Sequence, residues 1–214
     1  LKLNAPLAAG TDVAAFKVSP AAAGGLVVYI ARHAADSAPR LYSVSTSGGT
    51  PVALADAQSL GAEFDPFTLT FAPDGSQLLF RIQRNQLGPQ PLYRVAPTGG
   101  APVLIANNVA RFWAAPDSTR VVFDESSGLA PGLKSVPLDG SLPVETLGIS
   151  TETGELLFTD GGSHVVYIAG TDSGAQVALV RQAAAGGPQT PLYTPGSGEL
   201  INERFVLVPA SDRI

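Results

Sequence analysis

Ser163 and His164 stand side by side in the segment GGSHV at 161 to 165, a hydroxyl next to an imidazole. That pairing could serve nucleophilic catalysis only with a nucleophile elbow and an ordered set of Ser, Asp and His. No G-x-S-x-G occurs, and GGSHV falls where a hairpin turn is expected, so the adjacency reads as incidental. His33 is the other histidine, far away in sequence. Two histidines in different repeats make a poor metal set, and each is expected to sit at the surface or pack. Asp74, Asp117, Asp160 and Asp212 recur in equivalent turns, where a carboxylate accepts backbone N–H bonds, and that structural duty accounts for all four. A calcium loop needs several oxygen donors at D-x-D-x-D-G spacing, which is absent; Asp124, Glu125 and Ser126 are too sparse a set. The expectation is therefore no catalytic residue, no metal and no cofactor. An active site of lyase or glycosidase type is disfavoured because no paired carboxylates recur on the first strands.

The elements that carry these residues repeat. Four units align, beginning at Phe16, Leu69, Phe112 and Leu156. The aromatic that closes each second strand is Tyr29, Phe80, Phe123 and Tyr167, which gives a period of roughly 40 to 50 residues. Each unit reads as four strands. A short apolar segment ends in a turn such as APDGS, and a β-branched or aliphatic run follows: LVVYI, QLLFRI, RVVFD and HVVYIA. A variable polar stretch then leads to an alternating third strand. Turns such as SGGTP, TGGAP, LDGSLP and AGGPQTP bring in a short fourth strand. Nothing shows helical periodicity over the length of a helix. Insertions before Phe64 account for the longer first step.

A four-stranded meander has two apolar faces and buries both only by stacking on its neighbours. Tandem units of this length point to an all-β fold, a β-propeller of four-stranded antiparallel blades. A sandwich would have no reason to repeat its turn chemistry at a fixed offset. The blades are placed at 13–55, 64–105, 109–147 and 155–193. Residues 1–7 resemble the end of a fourth strand and 204–214 a first strand with its turn, so both are assigned to incomplete blades. The expectation is a fragment of a ring rather than a natural four- or five-bladed ring, with strand edges at both ends that pair with another chain or with missing blades.

Composition narrows the partners. Hydrophobic residues make up 45% of the 214-residue chain and charged residues 14%, so a core forms; 23 Gly and 18 Pro supply the turns. A net charge of −5 with scattered Lys and Arg offers no field for a phosphate backbone, so nucleic acid is not an expected partner. There is no cysteine, hence no disulfide or thiolate chemistry, and no apolar run long enough to span a membrane. With no methionine, the chain is expected to be a processed product or a fragment, and LKLNAPLAAG is too short and polar for a signal peptide.

The pattern F-x-P-D-G-x-x-L-x-F, then L-Y-x-V, then G-G-x-P-V-x-L resembles the TolB-type, WD-repeat-like β-propeller repeat. That repeat occurs in bacterial envelope and cell-surface proteins and in the propeller domains of prolyl-oligopeptidase-like peptidases. The second unit carries the resemblance best, through Phe71, Pro73, Asp74, Gly75, Phe80, Leu92, Tyr93, Val95, Gly99 and Gly100. The first unit has SPAAAGG in place of the acidic turn, and the fourth has Thr159 in FTDGG. The resemblance implies a rigid extracytoplasmic scaffold, noncatalytic and protein-binding. The alternative it implies is the gating propeller of a serine peptidase whose catalytic domain lies outside this chain. The loops between second and third strands should share one face. Partner contacts are accordingly assigned to Arg32, His33 and Asp36, with Arg81, Arg84, Asn85 and Gln86 nearby and Asp124 and Glu125 across the rim. Trp113 is expected to pack between blades.

Overall fold

Runs of β-branched and aliphatic residues separated by Pro-Asp-Gly and Gly-Gly turns fold as antiparallel meanders. In a computed structural model of the chain, the described residues are 2–20, 24–61, 63–64, 68–83, 90–125, 132–141, 143–149, 156–170 and 176–196. They form strands, with one 3-10 turn at Asp160–Gly162. No helix among them is long and apolar enough to cross a membrane. The chain divides into two compact units, Leu1–Ala110 and Arg111–Ile214.

In the first unit, β1 (Ala15–Val18), β2 (Leu26–Ala31), β3 (Arg40–Ser45) and β4 (Val52–Asp56) pair in chain order. β2 sets Tyr29 opposite Tyr42 and Ile30 opposite Leu41. Because alternate side chains point to opposite faces, Val28, Ile30, Leu41 and Leu54 enter one core while Tyr29, Ala31, Tyr42 and Val44 form another, covered by Leu3 and Leu7. Residues 2–7 contribute a single bridge, Leu7 to His33, rather than a strand.

The second meander runs through β5 (Glu63–Phe64), β6 (Thr70–Phe71), β7 (Leu78–Gln83), β8 (Gln90–Val95) and the start of β9 (Val103–Ala114). Its first strand is split, since both β5 and β6 pair with β7. Six chain steps from Phe64 to Thr70 face only three on β7, from Ile82 to Leu79. Leu78, Phe80, Ile82, Tyr93 and Val95 close the first core against β2 to β4, and Phe80 stacks on Tyr93 with ring centroids 5.7 Å apart.

β9 runs without a turn through 106–108, where a break between units is expected from the sequence. The segment VLIANNVARFWA holds neither Gly nor Pro, and its two asparagines stay extended. In the second unit, β9 is followed in the sheet by β10 (Arg120–Glu125), β11 (Gly132–Pro137) and β12 (Glu145–Ile149). A last meander comprises β13 (Leu157–Thr159), β14 (His164–Gly170), β15 (Gln176–Ala183) and β16 (Thr190–Tyr193). Val122, Leu133 and Leu147 pack on Val165, Tyr167, Ala169 and Val180, with Trp113 and Phe158 at the margin. Each unit thus contains two meanders stacked face to face, which buries the surface that one meander alone leaves wet.

The first turns show how one geometry is met by different residues. Asp74 and Asp117 each accept the backbone N–H two residues on, from Ser76 at 2.9 Å and Thr119 at 3.0 Å. Gly75 takes a left-handed φ of 74°, and Ser118 takes the same region at 58° in the third meander. In the first meander, which lacks the acid, Ser19 Oγ instead accepts the Leu26 N–H at 2.9 Å across the hairpin. Asp160 departs from the expected capping role. It falls where Pro73 stands in the second meander, one residue early, and its carboxylate turns outward to Arg181 Nη2 at 2.5 Å. Asp212 lies outside the described residues.

Candidate functional site

The densest polar cluster of the first unit is built where β2 leaves the sheet. Arg32, His33 and Asp36 are brought together there as a turn: His33 N donates to Asp36 Oδ2 at 2.8 Å and Arg32 Nε to the Asp36 carbonyl at 3.2 Å. His33 is only 8% exposed. Its ring stacks on Tyr42 at 3.9 Å, and Nε2 lies 3.1 Å from the Tyr29 hydroxyl. The Asp36 side chain, 6% exposed, accepts the Tyr42 hydroxyl at 2.5 Å and faces Arg40 Nη1 at 3.4 Å, while Arg40 Nη2 reaches Asp56 Oδ2 at 3.1 Å. Burial would raise the Asp36 carboxyl, but the Tyr42 hydroxyl, the His33 N–H and the Arg40 charge outweigh it and hold the group below its ordinary range. Burial first, then the hydrogen bond to Asp36, pushes the Tyr42 hydroxyl up; burial likewise pushes Tyr29 up to about 12. Both phenols are therefore neutral at physiological pH. The cluster fastens the turn, the N-terminal segment and β3 to one another, and of its charged groups Arg32 is the exposed one.

Arg81 is held differently. Its backbone N–H donates to Thr68 Oγ1 at 3.2 Å, and its guanidinium donates to the Val109 and Ala110 carbonyls, pinning β7 to β9. Arg84, Asn85 and Gln86 lie outside the described residues. In the second unit Asp124, 1% exposed, accepts Arg111 Nε at 2.7 Å, and the Arg111 guanidinium lies 5.4 Å from the Trp113 ring. Glu125 pairs with Lys134 across β10 and β11. Trp113 also packs on the core shared by the two meanders of this unit, the place expected for it.

Ser163 Oγ lies 2.9 Å from His164 Nδ1, and Asp160 Oδ2 lies 3.4 Å from that same nitrogen. In a serine hydrolase the base takes the nucleophile's proton on one ring nitrogen while the acid orients the other. Here both partners address one nitrogen, so among the described residues the relay has no second end. Hydrogen bonds from Arg181 and Thr159, in that order, hold the Asp160 carboxyl below its usual range.

A groove of about 510 Å³ opens at the turn end of the second unit, bordered by Asp117, Arg120, Asp139, Ser141 and Ser163. It lies at the start of β10, whereas Asp124 and Glu125 stand at that strand's other end. Sequence reasoning missed it because its acids were assigned to turns. The signal was Arg120, a charge leading straight into the apolar run VVF. Tyr29 and Tyr42 were missed as partners because only the strand register sets them opposite each other. Among the described residues no group of three or more acidic or histidine side chains is placed to hold a metal ion.

No protein-family profile matches the sequence, and no curated protein matches it. Solved structures do. A structure reported with two prolyl endopeptidases aligns with 87% of this chain and 30% of its own at 16% identity and a TM-score of 0.56. An uncharacterized Listeria monocytogenes protein aligns with 91% of this chain and 57% of its own, at 10% identity and a TM-score of 0.56. TolB from Acinetobacter baumannii aligns with 83% of this chain and 42% of its own at 17% identity, with a TM-score of 0.48. The chain thus spans well under two thirds of each of these proteins. The structural neighbours include TolB, prolyl endopeptidases and related β-propeller proteins, and the likeness is one of fold.

Proposed function

We propose that this chain is a noncatalytic, extracytoplasmic scaffold of propeller blades that binds another protein, chiefly through the loops joining second and third strands. The observation that carries the reading is where the reactive groups go. His33, Asp36 and Asp124 are buried in hydrogen bonds within the chain, and Ser163 and His164 share one nitrogen contact with Asp160. Among the described residues of the loop face, Arg32 is exposed and Glu125 is half-buried against Lys134.

The second reading, a gating propeller for a serine peptidase, draws on the likeness to a prolyl endopeptidase over part of its length. It requires an α/β-hydrolase segment in the same gene. A photoreactive amino acid placed at Arg32 or Glu125 in the producing organism tests the first reading. A discrete cross-linked protein is expected from these positions and none from Ser76, on the opposite turn of the second meander. Equal yield from Ser76, or no discrete product at either loop position, would contradict it.

A further inference from the structure

Arg120 opens β10 on the face that also carries Ser135 and Glu145, packed toward the last meander. It is 9% exposed. Nε donates to Ser135 Oγ at 2.8 Å, while Nη2 is buried without a partner among the described residues. No described carboxylate lies within ion-pair distance of it. Asp117 and Glu145 act on its charge only from farther away, and burial disfavours that charge. A guanidinium taken out of water without a counter-ion is costly, yet this one forms part of the wall of a groove of about 510 Å³, a size suited to a small ligand.

We propose that this groove binds a small carboxylate whose anionic end pairs with Arg120. With Nε engaged by Ser135, Nη2 is left without a partner among the described residues, and a guanidinium edge matches a carboxylate. The mouth sets the other end of the ligand. Asp117 and Asp139 border it and are exposed, so a doubly charged phosphate meets repulsion there, while a carboxylate carrying an ammonium group is matched at both ends. Ser163 and Ser141 add hydroxyls at the rim. Gly162 is essential to the wall: a Cβ there would come within 2.9 Å of the Asp117 carboxylate, and its φ of +112° excludes side chains in any case.

Titration of the ¹⁵N-labelled full chain with 4-aminobutyrate, acetate and inorganic phosphate, followed by amide NMR, tests the site. Saturable shifts at Thr119, Gly162 and Ser163 are expected, tightest for 4-aminobutyrate and weaker for acetate. Arg120→Gln should weaken binding at least tenfold, and Asp139→Asn should remove the advantage of 4-aminobutyrate over acetate. If Arg120→Gln fails to fold, the wild-type titration still decides. No saturable shift, shifts that merely follow ionic strength, or a preference for phosphate would overturn the proposal.

Discussion

Replacing Gly148 with alanine lowers the stability of the chain by about 3 kcal/mol in equilibrium urea unfolding, as overpacking and a broken buried polar network combine. Gly148 lies on β12, and a Cβ there would come within 2.5 Å of Gln189 Nε2 and 2.8 Å of the Tyr167 hydroxyl. The amide end of Gln189 can move aside; the Tyr167 ring, 1% exposed within the core of the second unit, has nowhere to go. Its hydroxyl donates to Gln182 Oε1 at 2.7 Å and receives from Gln189 Nε2 at 2.8 Å, while Gln182 Nε2 donates to the Gly187 carbonyl. This knot links β12 to the last meander. Tyr167→Phe alone should cost about 1 kcal/mol. In that background Gly148→Ala should lose a large part of its penalty, since the clashing oxygen is gone. A double-mutant cycle with no coupling would show that the knot does not join the two meanders.

Asp36→Ala should lower stability by roughly 3 kcal/mol, because it strips the Tyr42 hydroxyl, the His33 N–H and the Arg40 guanidinium of one shared acceptor inside a closed cluster. The effect has a pH signature. The folded carboxyl lies below its ordinary value, so the stability it contributes is full above the unfolded value of about 3.9 and is lost as pH falls through the folded one. Wild type and Asp36→Asn should therefore differ most at neutral pH and converge in acid below about pH 4. A difference that stays constant down to pH 2 would show that the charge of Asp36 is immaterial. Loosening of residues 2–8 in the variant, read by amide exchange, is expected as well, because Ala8 N and Ala34 N bond across this turn to Arg32 O and Pro6 O.

Much of this architecture was legible because the repeat writes its punctuation plainly. Tyr29, Phe80, Phe123 and Tyr167 mark four second strands, and all four are 2% exposed or less. The Pro-Asp-Gly and Gly-Gly turns mark the hairpins. What escaped was what depends on pairing across strands or on a one-residue offset. Asp160 looked like Asp74 but stands one place earlier, and so makes an ion pair instead of a cap. The junction at 106–108 looked like a break, yet without a turn residue β9 simply continues. His33 and Asp36 were read as loop residues; whether a loop residue faces solvent depends on which aromatics the sheet register lines up behind it, here Tyr29 and Tyr42. Arg120 was invisible as a site for a related reason: only the stacking of two meanders turns a strand-leading arginine into a buried charge with no ion-pair partner among the described residues.

The central proposal is that the groups able to do chemistry among the described residues are structural, and Ser163 offers the most direct measurement. Its hydroxyl is bound to the Asp160 carbonyl at 3.1 Å and to His164 Nδ1 at 2.9 Å, with no relay beyond among the described residues. Incubation of the full chain with a fluorophosphonate, read by intact mass, should leave it unlabelled at neutral pH, with wild type and Ser163→Ala indistinguishable. Stoichiometric labelling that Ser163→Ala abolishes would contradict the account.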